Sequence, residues 1–597
     1  MALKKIILSL IVTVAFCIVA CSTFIRFEMD DNYFQLLPMS IGVVVVAIVA
    51  VFSCFLRKGN QGFRFIFPDF LFVVIVAYYA ARYDYELQLA NWKIIYAALL
   101  LLLWFAARII LSNLSISKSI LLGGFICIGC ILAVWGLLQL YGVVKSNNYL
   151  FPITGPFYNP GPYSGYLAIT FPISLNRLLG TNGKARCVWF IAFSLMLCIL
   201  PAGMSRSAWL ALLAGCIWLL AIRYEWFHQL KVYVKVRPRM AILRLALLLC
   251  ILFSILFSLF RLKSDSANGR LFIWKNTCDA VFSHPLLGYG AGSFPYVYGE
   301  IQSEHFASGN YTELEEKVAG SPEYAFNEYL QICIEGGFIL LFLFLVLVIW
   351  GICRGVRNKE YAACSGLISL LVFSLSSYPF QVLPFLIIGV LLLAICVSRT
   401  NSILFSKRQS LKALLLLAMI LLGIALMSIS LYKIPEMAKR WEVICSFYER
   451  GSFKEALLEC EKLYKYQKHN SVFLIKYAQC LMKQEKYDAA CEILERAKLI
   501  SCHPVIWNLQ GQYYQLAGNY AMAEKCFEEA VDLLPGRIYP YFLLAKLYAE
   551  PSFFHEDKMK KMAKIVLSKT PKVPSVAIDE MRLEVRKLLT KLPRSDM

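Results

Sequence analysis

Long runs of apolar residues, separated by short polar loops, constrain the fold of this chain more than any other feature. A helix needs about 20 consecutive apolar residues to cross the hydrocarbon core of a bilayer. Suitable runs lie at 6–25, 36–56, 66–83, 92–111, 119–143, 162–180, 186–203, 206–223, 241–260, 327–351, 361–377, 382–398 and 411–432. The sequence therefore predicts an all-α, polytopic membrane protein of about thirteen transmembrane helices.

The formal net charge of +21 would suggest nucleic-acid binding in a soluble protein. Here many Lys and Arg residues stand in short loops between the apolar runs, where they signal orientation in the membrane. We therefore exclude nucleic acid as a partner and expect membrane lipids instead. The positive-inside rule, with Lys4 and Lys5 in the cytoplasm, places the long segment 261–325 outside.

The same rule places the chain after residue 435 outside, which in a Gram-negative bacterium means the periplasmic side of the inner membrane. Three basic residues after the last apolar run, Lys433, Lys439 and Arg440, favour the opposite side for this domain. The expected domains are a membrane domain at 1–434, a repeat domain at 435–550 and a helical extension at 551–597.

The repeat domain carries the tetratricopeptide signature at its usual offsets, in Trp507, Gly511, Tyr514, Ala523, Phe527, Ala530 and Pro535. Shifts of about 33 or 34 residues recover further copies, so we expect about three repeats stacked as an α-solenoid. Such a domain either acts only as a scaffold or dimerisation unit, or binds a protein partner such as an acceptor substrate. Its six cysteines either pair in an oxidising periplasm or remain thiols in the helical core.

Two outward-facing segments place polar groups at membrane depth. In TGPFYNPGPYSGYLAITFP, residues 154–172, irregular backbone before a helix is tolerated when it lines an aqueous cavity, into which Asn159 would point. The alternative is a plain helix cap and turn. In PAGMSRSAWLALL, Arg206 and the helix N-terminus would form a site for a lipid-linked pyrophosphate. The alternative is an arginine that extends to the membrane interface.

The long outer loop opens with SANGRLFIWKNTCDAVFSHPLLGYGAGSF, residues 266–294. Arg270 and Trp274 lie one turn apart on the helix that we expect here. The Gly-rich turn that follows would let the backbone approach a ligand closely. The glycine spacing fits neither a Walker nor a dinucleotide motif, and the cysteines show no metal-ligand spacing, so we expect no nucleotide, cofactor or metal.

The loop closes with EYAFNEYLQ, residues 323–331, immediately before an apolar run. Asn327, Gln331 and Glu335 are four residues apart and share one helix face with Glu328. This polar stripe must face protein or a cavity, and carboxylates in the membrane zone are candidates for function. The alternative is a stripe that only hydrogen-bonds helix to helix.

Taken in order, GPFYNP, SRS, the loop opening with its Gly-rich turn, and NEYLQ followed by EGG resemble the O-antigen ligase family, over roughly residues 90–400. This family also holds O-antigen polymerases and bacterial O-oligosaccharyltransferases. The resemblance implies a metal-independent, inverting enzyme that moves a glycan from undecaprenyl pyrophosphate to a periplasmic acceptor. It also implies that Arg206 and Arg270 hold the pyrophosphate. Further candidates for substrate binding are Asn159, Trp274, His284, Gln331 and Glu335, although His284 fits a structural turn better than a binding role.

One position departs from the family pattern. Family members commonly carry His directly before the Asn of NEYLQ, where it is expected to position or deprotonate the acceptor hydroxyl, and this chain has Phe326 there. Phenylalanine cannot accept a proton, so the candidates for a replacement base are Glu328, Glu323 and His305. Asn327 is a further candidate for a catalytic residue.

We therefore predict a membrane glycosyltransferase that uses an undecaprenyl-pyrophosphate-linked glycan. The repeat domain favours a protein acceptor, and the alternatives within the family are a lipid A-core ligase and a polysaccharide polymerase. Two alternatives come from other classes of protein. One is a transporter of lipid-linked sugars, and the other is an inactive scaffold in which Phe326 marks a lost activity.

Overall fold

The computed structural model describes residues 11–16, 18–19, 35–55, 65–84, 91–113, 117–240, 244, 261, 264–398, 409–571 and 575–590. This part of the chain is helical and contains no strands. Its helices are α1 Leu36–Phe55, α2 Phe67–Ala81, α3 Asn91–Asn113, α4 Ser117–Leu140, α5 Pro160–Gly180, α6 Gly183–Ile199, α7 Arg206–Arg223, α8 Trp226–Val236, α9 Ser264–Ser283, α10 Phe294–Ala307, α11 Glu313–Val318, α12 Glu328–Arg357, α13 Tyr361–Ser374, α14 Leu383–Val397, α15 Gln409–Glu449, α16 Phe453–Gln467, α17 Ser471–Lys483, α18 Tyr487–Lys498, α19 Val505–Leu516, α20 Tyr520–Leu533, α21 Ile538–Tyr548, α22 Glu556–Ser568 and α23 Val576–Thr590.

Seven helices in the described ranges are long and apolar enough to cross a membrane, namely α1, α3, α4, α6, α7, α12 and α15. Three shorter apolar helices, α2, α13 and α14, accompany them. A polytopic, all-α membrane protein is therefore confirmed, whereas the total of thirteen spans stays a prediction. The run at 241–260 lies outside the described residues apart from Arg244, and the run at 6–25 is described only at 11–16 and 18–19.

Small residues bring α5, α7 and α13 into close contact at the centre of the membrane domain. A Cβ atom at Gly215 of α7 would overlap the hydroxyl of Ser369, and one at Gly165 of α5 would overlap the ring of Phe373. Membrane helices commonly associate through such residues, because they let the backbones approach. The three helices therefore pack closely against one another.

The predicted tetratricopeptide repeats are confirmed in the C-terminal domain. The α19 and α20 helices form the clearest pair, and a Cβ atom at Gly511 would overlap the ring of Phe527 in the facing helix. Ala523 and Ala530 are fully buried at the same contact. The stack begins within α15, a continuous helix that passes through the expected boundary near residue 435. At the other end of the stack, α22 and α23 continue it beyond residue 550.

The C-terminal domain packs directly on the long outer loop. Leu534 lies in an apolar cluster with Phe272 and Phe306 of the loop, and the Gln302 side chain donates a hydrogen bond of 2.7 Å to the Leu533 carbonyl. The domain and the loop therefore lie on the same side of the membrane.

The basic residues after the last apolar run, which favoured the opposite side, take part in contacts within the domain. Arg440 forms ion pairs of 2.7 Å with both Glu436 and Glu459. Lys433 lies 5.1 Å from the ring of Tyr466. Two of the three positive charges that favoured the opposite side of the membrane therefore have partners within the domain.

Candidate active site

A cavity of about 1350 Å³ opens between the ends of membrane helices, the long loop and the C-terminal domain. It brings together Asn159 at the start of α5, Arg206 at the start of α7 and Arg270 on α9. These residues come from three segments that are far apart in the sequence, and each was predicted as a polar site on the outer side. The structure therefore assembles the three predicted segments into one cavity.

The N-terminus of α7 faces this cavity. A short 3₁₀ turn at Pro201–Gly203 and the left-handed Met204 reverse the chain, so that Arg206 becomes the first residue of the helix. The Ser205 side chain makes no capping hydrogen bond to the first turn. Amide groups at a helix N-terminus attract anions, and the guanidinium of Arg206 adds a full positive charge at the same place.

Arg270 is fixed by neutral hydrogen-bond acceptors. Its Nη1 donates to the Ser207 hydroxyl at 3.0 Å and to the Ser376 carbonyl. The Ser376 hydroxyl in turn donates to the Ser207 hydroxyl at 2.8 Å. Ser376 follows α13, and no local sequence pattern marks it as part of the site. This network holds the guanidinium in place while leaving its charge for a ligand.

The two arginines are close enough to affect one another. Burial, followed by the positive charge of Arg206, lowers the pKa of Arg270 to about 10. The guanidinium thus remains charged at neutral pH, although it lies beside a like charge. A ligand with two negative charges, such as a pyrophosphate, would relieve this repulsion.

Phe326, which stands where the resemblance implies a His, lies beside Arg270 and lines the same cavity. The Arg270 guanidinium carbon is 5.4 Å from the centroid of the Phe326 ring, and the ring of Tyr378 packs edge-on against Phe326 at 5.2 Å. The Phe326 backbone is left-handed, with φ of 51°, a conformation that costs a residue with a Cβ atom roughly 1–2 kcal/mol.

Trp274 helps to hold Phe326 in this position. Its indole Nε1 donates a hydrogen bond of 3.0 Å to the carbonyl of Ala325, which ties the segment before α12 to α9. Because Arg270 is one turn away on the same helix, this bond fixes the distance between Arg270 and Phe326.

Two family models match the chain. Residues 191–345 match the model described as O-antigen ligase. The predicted resemblance to the O-antigen ligase family is confirmed. Residues 449–549 match the model described as Anaphase-promoting complex, cyclosome, subunit 3, a repeat of the tetratricopeptide type. No curated protein matches the chain.

The O-antigen ligase match begins within α6, ends within α12 and so includes Arg206, Arg270 and Phe326. It supports a membrane glycosyltransferase of the O-antigen ligase and polymerase type. Asn159, Ser376 and the C-terminal domain lie outside the matched residues, although the structure places them at the same cavity or beside it.

The polar stripe of the matched region turns away from the arginines. The buried Glu328 carboxylate accepts hydrogen bonds from the Phe380 amide and from Gln381 Nε2, at 2.5 Å and 3.0 Å. Glu335 pairs with Lys93 at 2.6 Å and accepts a bond from Tyr79. These contacts agree with the helix-to-helix alternative for the stripe, and the catalytic role of Glu328 stays a prediction.

Gln331 continues the same network. Its Nε2 donates to Glu335 at 2.8 Å, and its Oε1 accepts a bond of 2.9 Å from the Ala325 amide. Together with Glu328 and Lys93, it lines a second cavity of about 270 Å³ whose remaining walls are mostly apolar. The two cavities share no lining residue.

Two predicted residues cap helices. Asn327 accepts hydrogen bonds from the amides of Tyr329 and Leu330, at 3.0 Å and 3.2 Å, and so begins α12. Asn159 accepts from the Gly161 amide at 2.8 Å and begins α5. Since Asn159 also lines the large cavity, the cap and the cavity position, which were alternatives in the sequence, occur together.

The other candidate bases do not line the large cavity. The His305 ring lies 3.7 Å from Glu315 and packs on the ring of Phe272. Glu323 lies at a smaller cavity of about 270 Å³ between the loop and the C-terminal domain, beside Cys502. Their role as bases therefore rests on the sequence alone.

The Gly-rich turn approaches the backbone of α12, where the sequence suggested a ligand. The Tyr289 amide donates to the Ile334 carbonyl at 2.8 Å, beside a kink at Gly337 with φ of 69°. A Cβ atom at Gly337 would overlap the backbone of Leu286. His284 packs edge-on against Tyr289 at 4.4 Å, in agreement with a structural role in the turn.

Three carboxylates that the sequence analysis did not select line the large cavity. Asp265 pairs with Lys317 at 2.9 Å, and Glu316 pairs with Lys569 at 2.5 Å. Glu313, at the start of α11, belongs to neither ion pair. No local sequence signal marks these residues, because their position depends on how the loop folds back over the membrane domain.

Proposed function

We propose that this protein transfers a glycan from a polyprenyl pyrophosphate, undecaprenyl pyrophosphate in bacteria, to an acceptor on the periplasmic side of the inner membrane. One observation carries the proposal. Arg206 and Arg270 converge, with an uncapped helix N-terminus, in a large cavity at the outer ends of membrane helices. A pyrophosphate held by a lipid tail would reach this depth, and its charge suits two arginines.

The chemistry follows from the position of the positive charges. As the bond between the sugar C1 and the pyrophosphate oxygen breaks, negative charge develops on the leaving pyrophosphate. Arg206, Arg270 and the α7 amides would stabilise that negative charge. The arginines supply the positive charge that this requires without a metal ion. An acceptor oxygen that attacks C1 from the opposite face would give inversion, and its proton would pass to a base.

The identity of that base is a separate proposal. Glu328, Glu323 and His305 are the candidates from the sequence, and Asn327 would assist them. The cavity adds Glu313, because this residue lines the cavity and forms no ion pair with a lysine in the part of the chain that the structure describes. An exposed carboxylate that can move towards an acceptor hydroxyl suits a general base in a site that is open before substrate binds.

A protein acceptor is favoured over a lipid A-core or a growing glycan, because a repeat domain of the kind that binds proteins adjoins the cavity. A transporter of lipid-linked sugars would not need an acceptor site. An inactive scaffold would not need charged arginines beside the cavity. Transfer in a purified system distinguishes the enzyme from both alternatives.

The test compares Arg206→Ala and Arg270→Ala with Arg239→Ala, whose side chain is exposed in the segment after α8. Each variant is expressed in cells that lack the native gene, and glycans on lipopolysaccharide and on total protein are blotted. Loss of one ladder in the first two variants, with normal membrane levels and an unaffected Arg239→Ala, is the expected result. Full transfer by both cavity variants would sink the proposal.

A further inference from the structure

The C-terminal repeat domain forms one wall of the large cavity. The residues of this wall are Leu534, Gly536, Arg537, Lys569, Thr570 and Pro571. These residues come from the loop after α20 and from the segment after α22. The cavity that holds Arg206 and Arg270 is therefore incomplete without the C-terminal domain.

This wall is held in place by several contacts. Leu534 packs in the apolar cluster with Phe272 and Phe306. Lys569 forms an ion pair with Glu316 of α11 and donates a hydrogen bond of 2.6 Å to the Pro535 carbonyl. The backbone at Gly536 passes so close to α11 that a Cβ atom there would lie 3.1 Å from the Glu316 carbonyl oxygen. The interface between the repeat domain and the loop thus combines apolar, ionic and backbone contacts.

The charges on this side of the cavity leave one cation for a ligand. Asp265 neutralises Lys317, and Glu316 neutralises Lys569. Arg537 lines the cavity with an exposed side chain and pairs with no carboxylate among the described residues. The positive charge of Arg537 acts on His503, whose pKa is lowered first by burial and then by Arg537.

We propose that Arg537 binds an anionic side chain of an acidic polypeptide acceptor, so that the repeat domain selects the acceptor inside the active-site cavity. This inference rests on the proposed glycan transfer. The wall is aliphatic and ionic, and none of its six described residues is aromatic. Sugar rings in proteins usually stack on aromatic side chains, whereas an extended peptide with a carboxylate matches an arginine between aliphatic groups.

The test uses two short peptides, each with a single Ser as acceptor. The residues next to this Ser are Asp in one peptide and Asn in the other, and the peptides are otherwise identical. Purified full-length protein receives an undecaprenyl-pyrophosphate-linked oligosaccharide and either peptide. We expect the wild type to use the Asp peptide with a kcat/KM about tenfold higher, as one charge-assisted hydrogen bond allows. Arg537→Gln should lose this preference. Its kcat/KM for both peptides should equal the kcat/KM of the wild type for the Asn peptide.

The matched control is Arg586→Gln on α23, an exposed arginine outside the cavity, which should keep the preference. Equal use of both peptides by the wild type, or an unchanged preference in Arg537→Gln, overturns the inference. So does transfer to an oligosaccharide acceptor but to neither peptide. If the wild type transfers glycan to no acceptor at all, the proposed function itself fails, and the two failures are thereby distinguished.

Discussion

The Arg270 guanidinium lies over the Phe326 ring, 5.4 Å from its centroid. At the position where the family resemblance implies a base, this protein thus places an aromatic ring against the arginine that we propose binds pyrophosphate. A guanidinium above an aromatic face gains about 0.5–1 kcal/mol at exposed sites and more when it is desolvated. Phe326 therefore acts on the donor side of the reaction in our proposal.

Replacing Phe326 by Leu should weaken pyrophosphate binding, because the aromatic face is lost while the apolar volume is largely kept. An interaction of 0.5–1 kcal/mol corresponds to an increase in Kd of roughly two- to fivefold. Isothermal titration of the purified protein with inorganic pyrophosphate measures it. Phe326→Tyr keeps the ring and is the control. Equal Kd values for the Leu and Tyr variants would remove this role of the aromatic ring.

Pyrophosphate binding should also depend on the charge of Arg270 at alkaline pH. Its pKa is lowered to about 10 by burial and then by Arg206, so the charged form is complete at neutral pH and is lost as the pH rises through about 10. Affinity should fall between about pH 9 and about pH 11. In Arg206→Ala the neighbouring charge is gone, the pKa of Arg270 rises, and the fall should move to higher pH. A profile that does not move would contradict the coupling.

Substitution of Glu328 by Gln separates a structural from a catalytic role. The buried carboxylate accepts two hydrogen bonds, from the Phe380 amide and from Gln381. An amide can turn only one oxygen to these donors, so we expect a loss of about 1–3 kcal/mol of stability. Thermal unfolding in detergent should show a lower midpoint than for Glu323→Gln, whose side chain is exposed. An unchanged midpoint with abolished transfer would instead identify Glu328 as the base.

Glu313→Gln should have the opposite signature. The side chain is exposed at the cavity, so the unfolding midpoint should stay unchanged. A general base contributes a factor of about a hundred or more to turnover, and kcat should fall accordingly. Asp265→Asn serves as the comparison, since that carboxylate is paired with Lys317. Normal turnover in Glu313→Gln would return the choice to Glu328, Glu323 and His305.

The sequence predicted those parts of the molecule that depend on local pattern. The apolar runs and the repeat with its Gly511 and Phe527 contact follow from periodicity. The shared cavity of Arg206 and Arg270 agrees with their predicted place on one side of the membrane. Residues at the outer ends of neighbouring spans meet because the membrane confines them to one plane.

The direction of the polar stripe could not be predicted in the same way. Glu328 and Glu335 turn towards partners such as Gln381 and Lys93, which lie on other helices. Helical spacing shows that polar residues share a face, and only packing decides which neighbour that face meets. Glu313 and Arg537 escaped for a related reason, because they reach the cavity through the docking of the loop and the repeat domain.

That docking should depend measurably on the ion pair between Lys569 and Glu316, whose side chains are only 18% and 24% exposed. Lys569→Gln and Glu316→Gln, alone and together, form a double-mutant cycle, and we expect a coupling of roughly 1 kcal/mol. Hydrogen exchange of α11 and of the segment after α20 reports the docking. The exposed pair Lys546 and Glu584, at 41% and 46% exposure, is the control and should show almost no coupling. Additive effects at Lys569 and Glu316 would mean that the apolar cluster around Leu534 holds the wall without the ion pair.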